Sequence, residues 1–136
     1  MNNKLNFKQS IVAAITAAVV AAAINALIFL ILHGIGVFTD DIMIQPQTPL
    51  SIAPVLISSI MPLIIGGILF YILERYTKNG YKIFSIISIV FLLLSFINPF
   101  ALIPGVTIAY GIGLNLMHVV AAASILYFIK RAKSKN

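Results

Sequence analysis

Two polar side chains, Asn115 and His118, stand three residues apart in the apolar stretch Gly111–Lys130, GIGLNLMHVVAAASILYFIK. That spacing puts both on one helical face, where an amide and an imidazole can share a hydrogen-bonded partner or pass a proton. Asn25 and Ser58 are isolated polar residues in two other apolar stretches. At ~1.5 Å per residue, Asn25 lies about 25 Å from Lys8, Ser58 about 24 Å from Glu74, and Asn115 and His118 about 22 and about 18 Å from Lys130. The four therefore fall in one layer and are the candidate ligand-binding residues. The competing reading of the same layer is an interhelical hydrogen-bond network worth about 0.6 kcal/mol per bond.

Other chemistry finds less support. His33, Asp40 and Asp41 make a weak candidate metal site, since imidazole and carboxylate are suitable ligands but the spacing matches no motif. His33 lies about 37 Å from Lys8, far from the level of His118, so the two cannot flank one haem; no cofactor is expected. A proton-coupled exporter needs a carboxylate in mid-membrane. Glu74 sits instead at the end of its stretch, four residues before Lys78, the spacing of an i,i+4 ion pair. No nucleophile–base pair or carboxylate dyad is visible, so no enzymatic activity is expected. Cysteine is absent, which excludes disulfides, thiolate metal sites and thiol redox chemistry.

The elements that must position these residues are membrane spans. Of 136 residues, 61% are hydrophobic and only 9% charged, too few charges to cover a water-facing surface. The apolar residues fall in four blocks, predicting an all-α, membrane-spanning antiparallel four-helix bundle. It forms a single domain over 1–136 with spans at about 9–33, 51–74, 81–97 and 108–130. The first block continues too far for the apolar core of a signal peptide. Ala14, Ala18 and Ala22 recur four apart beside Ala13, Ala17 and Ala21, a face that lets helices approach closely in lipid. Gly34–Leu50 breaks the helix with glycine and proline. Pro54 and Pro62 fall in the second span and tend to kink it. The third span is short before Asn98-Pro99; it borrows Tyr81 and Lys82 or extends past Pro99 irregularly, and the rest of Asn98–Tyr110 reads as an apolar loop or re-entrant piece.

Charge orients the bundle. Every Lys and Arg lies in the amino-terminal tail (Lys4, Lys8), the middle turn (Arg75, Lys78, Lys82) or the carboxyl tail (Lys130, Arg131, Lys133, Lys135). The other two connections carry none, and one holds Asp40 and Asp41. By the positive-inside rule both termini are cytoplasmic. The net charge of +6 therefore reports topology, and no nucleic-acid partner is expected.

The Ala-rich first span with Asn25, the segment PLSIAPV (Pro49–Val55), the basic turn and LNLMHVVAAA (Leu114–Ala123) follow one another in an order that resembles a family of small bacterial four-helix integral membrane proteins, known only as a domain of unknown function. The resemblance covers most of the chain and implies a bundle in a bacterial inner membrane; it brings no activity, substrate or catalytic residue. The expected role is binding of a lipid or small apolar molecule, or of a membrane-protein partner, with self-association through the small-residue faces. The alternative is a small transporter or channel subunit using the polar layer. Because the chain has no cysteine, single substitutions test the topology cleanly: Asp41→Cys should react with a membrane-impermeant maleimide on intact cells, and Ser134→Cys only after permeabilisation.

Overall fold

Asn6 ends the amino-terminal tail as a helix cap. Its side chain accepts from the Gln9 N–H at 2.8 Å, and the Gln9 side chain accepts from the Asn6 N–H at 2.9 Å, a reciprocal capping box. From there α1 runs over Phe7–Gly34 and closes beside Gly36, whose φ of 77° suits glycine. The computed structural model describes residues 4–136, so Met1–Asn3 of the expected domain lie outside it. The other long helices are α2 (Ile52–Tyr76), α3 (Gly80–Ser95) and, after the short α4 (Asn98–Leu102), α5 (Ile108–Ser134). Among the described residues four segments are long and apolar enough to cross a membrane: α1, α2, α3 continued through α4 to Leu102, and α5. The third crossing thus takes in Tyr81 and Lys82 and also extends past Pro99, through the short helix α4, which occupies the start of the stretch read as a loop. Pro54 falls in the first turn of α2, where a missing N–H costs nothing, whereas Pro62 lies in its interior and leaves the Ser58 carbonyl without its helical donor.

The alanine stripe of α1 packs inside the subunit. Ala13, Ala14, Ala17, Ala18, Ala21 and Ala22 are all buried. Gly67 of α2 meets Ala14 so closely that a Cβ at position 67 would overlap the alanine methyl. On the other flank Ser124 of α5 donates to the Ala17 carbonyl of α1 at 2.8 Å, a contact possible only where backbones nearly touch. The small residues of α1 thus hold the helices of one chain together. Outward positions such as Val19, Ile57 and Ile65 are large and apolar.

Two apolar clusters fill the bundle. One, at the basic end, gathers the alanines with Leu63, Phe70, Phe84 and Ile129; the other holds Phe29, Phe38, Ile42, Val55, Tyr110 and Met117. Phe38 and Ile42 belong to the α1–α2 connection, which folds back over the end of the bundle. Phe38 stacks edge-on against Tyr110 with ring centroids 4.8 Å apart. The connection also contains a small antiparallel hairpin, β1 (Met43–Gln45) and β2 (Thr48–Pro49). Its tip is Pro46-Gln47, where Pro fixes φ and Gln47 takes φ 58°, the pattern of a type II turn.

Helix α3 is peripheral. Only Gly80 and Phe84 in it are buried, both near its start. It is tied to α5 at two levels: the Tyr81 hydroxyl donates to the Leu126 carbonyl at 3.2 Å, and the Asn115 amide donates to the Phe96 carbonyl at 3.2 Å. A measurement of the α1–α2 contact follows. Gly67→Ala should lose about 2 kcal/mol in reversible unfolding from detergent micelles, as overpacking does, and Ala14→Gly in the same chain should restore part of that loss.

Candidate functional site

The polar layer read from the sequence divides into three separate arrangements. Asn25, 3% exposed, lies one turn from Ala21 and one from Phe29, at the seam between the two apolar clusters. Its amide donates to Ser59 Oγ at 2.9 Å and to the Met117 carbonyl at 3.3 Å, joining α1, α2 and α5. Ser59 in turn donates to the Val55 carbonyl at 2.7 Å. The α2 partner is therefore Ser59 and not its neighbour Ser58, which the helix turns to another face. The stripe Val55, Ser59, Leu63, Gly67 at four-residue intervals carried that information. Asn115 faces α3 and fastens its far end.

Ser58 and His118 are the two predicted residues that line a common space. Together with Pro54, Asn98 and Leu114 they border a cavity of about 680 Å³ beneath the hairpin. A second cavity of about 480 Å³ continues between α2 and α3, with α5 as its floor. Met61, Pro62 and His118 border both, so the two form one groove that passes the imidazole. The groove exists because its floor is small: Ala121 and Ala122 of α5 lie under it, flanked by Gly66 of α2. Its walls are mostly apolar along Ile65, Leu69, Ile87 and Phe91, with Ser88 among them, and most of its polar groups, Ser58, Asn98, Ser95 and His118, lie toward the hairpin. The side opening lies within the spans, so it faces lipid chains.

The ionisable residues pair differently from the sequence expectation. Glu74 is buried and forms an ion pair with Lys133 of α5, not with Lys78. Helix α2 stops at Tyr76, so Lys78 is no longer on the helical face that four-residue spacing assumes. The His33 imidazole lies 3.2 Å from Asp40 Oδ1, both exposed at the opposite end. Asp41 does not join them, and among the described residues no group of three or more His, Cys, Asp or Glu could hold a metal ion. All nine Lys and Arg nonetheless sit at one end of the molecule, where the ends of α1, α2, α3 and α5 meet; Asp40, Asp41 and His33 sit at the other.

Four apolar crossings, a core of closely packed helices and a groove open to the side define a small multi-pass membrane protein. The chain belongs to the family described as a family of unknown function (DUF6069), which it matches over residues 6–135. Comparison with curated proteins and with solved structures found no match.

The division of the polar residues has a measurable consequence. Asn25→Ala and Ser59→Ala should each destabilise the bundle by about 1 kcal/mol, and a double-mutant cycle should show them coupled, as residues sharing an interhelical bond are. His118→Ala, which removes a groove-lining ring, should change stability by less than about 0.5 kcal/mol.

Proposed function

We infer that the protein is a non-enzymatic membrane protein that binds one chain of a lipid, or a similarly slender apolar molecule, in the groove between α2, α3 and α5. The observation that carries this reading is the continuity of the two cavities past Met61, Pro62 and His118. Each has a volume within the ~300–1,000 Å³ of small-molecule sites. The gradient along the groove suits an amphiphile: a polar group toward Ser58, Asn98 and His118, and a hydrocarbon chain along Leu69 and Phe91. A ligand dissolved in the bilayer enters sideways, without crossing water.

The non-enzymatic reading is supported by the surroundings of His118. Among the described residues nothing hydrogen-bonds to its ring, so no neighbour holds it in the tautomer a general base requires. The segregation of charge supports an orientation with both termini cytoplasmic, in what we take to be a bacterial inner membrane. A transporter or channel subunit has less support, because Asn25 and Asn115 are engaged in helix contacts away from Ser58 and His118 and form no continuous polar path with them.

Native mass spectrometry of the protein released from mild detergent tests the reading. Wild type should retain one adduct of lipid-like mass per chain that depends on the groove. Ala122→Phe, which fills the groove floor without altering a polar group, should lose it, and His118→Ala should lower its occupancy severalfold. Equal retention by wild type and Ala122→Phe would place the lipid elsewhere.

A further inference from the structure

At the basic end, away from the groove, Lys4, Lys78, Lys82 and Lys133 line a pocket of about 200 Å³ together with Glu74 and Tyr81. Two of these cations are fixed. The Lys4 ammonium donates to the carbonyls of Arg75 and Thr77 at 3.3 and 3.1 Å, which holds its charge over the end of α2, and Lys133 is held by Glu74. The other two, Lys78 and Lys82, have no partner among the described residues and flank the turn between α2 and α3. Four ammonium groups against one carboxylate leave three positive charges around a space smaller than a drug-sized site. Like charges converge in this way at a cost that a bound anion relieves.

The pocket lies where two spans end, at Tyr76 and Gly80, which is the level of the lipid headgroups. Tyr81 lines it as aromatic residues do at that level, its hydroxyl bonded to the Leu126 carbonyl. Lysine binds phosphate as a point charge and needs no bidentate geometry, and basic pockets between spans on the cytoplasmic side suit phosphorylated headgroups. We propose that this lysine-lined pocket binds the headgroup phosphate of an anionic phospholipid. The site is independent of the groove: its occupant is recognised by charge at the membrane edge, whereas the groove takes an apolar chain inside it.

The test uses the full chain in detergent and compares retention of phosphatidylglycerol with that of phosphatidylcholine by native mass spectrometry. Wild type should retain one phosphatidylglycerol in preference, and the Lys78→Gln/Lys82→Gln double variant should lose about 10- to 30-fold of that preference, as expected for two lysines at a headgroup. Neither side chain is bonded within the protein, so helix content by circular dichroism should be unchanged. Lys130→Gln/Arg131→Gln removes the same charge from the same end outside the pocket and should keep the preference. Equal retention of the two lipids by wild type, or an equal loss from the Lys130/Arg131 variant, would overturn the proposal. So would inorganic phosphate binding, read by its ³¹P linewidth, that depends on Lys78 and Lys82 while lipid retention does not, since the site would then belong to free phosphate.

Discussion

Close approach of backbones along α1 is the constraint on which the rest of the bundle depends. In lipid the apolar side chain gains nothing by leaving the solvent, so helices associate through contact and interhelical hydrogen bonds. Alanine on one face of α1 and Gly67 on α2 remove the side chains that would keep the axes apart. The Ser124 hydroxyl can then reach the Ala17 carbonyl, and the Asn25 amide can reach both Ser59 and Met117. Helix α1 thereby becomes the axis against which α2 and α5 pack. The fourth crossing has no comparable surface to offer. Helix α3 is rich in Ile, Leu and Phe that stay exposed, and it is fastened to α5 through Tyr81 and Asn115 while its contact with α2 is buried only near Phe84. The groove is what this unequal packing leaves open.

The polar residues serve two ends of this arrangement. At the seam between two apolar clusters the Asn25 N–H groups donate to Ser59 and to the Met117 carbonyl, where an unbonded amide donor would be costly. Glu74 is buried at the basic end, and its pairing with Lys133 ties α2 to the last turns of α5. Removing Lys133 leaves the buried Glu74 carboxylate unpaired, which penalises any arrangement that separates these helix ends. Lys78 and Lys82, without partners among the described residues, are thus left around a pocket whose shape is set by the ion pair and by the tethered Lys4.

The spans were legible because bilayer thickness demands a long run of apolar residues, and such runs survive without any knowledge of packing. The importance of the alanine stripe was legible too, since six small residues at helical spacing have a face. Its partner was not: spacing says that a helix can approach closely and does not say whether the neighbour is in the same chain. The choice between Ser58 and Ser59 turned on helix rotation, which depth estimates cannot resolve. The Glu74–Lys78 pairing failed because a helix end two residues earlier removes the geometry on which the spacing rule rests. Phe38 and Ile42 looked like ordinary loop residues, and their burial against Tyr110 arises from the folding back of the α1–α2 connection. The groove itself was invisible, since it is a gap that opens between α2 and α3 beyond their contact at Gly80 and Phe84, over a floor of Ala121 and Ala122.

A crystal structure grown from a lipidic mesophase, at a resolution that shows acyl chains, tests the central claim most directly. Continuous elongated density running past His118 between α2 and α3, over Ala121 and Ala122, is the predicted result. Closure of α3 onto α2 along its whole length, with the imidazole packed against protein and no chain between the helices, would contradict it.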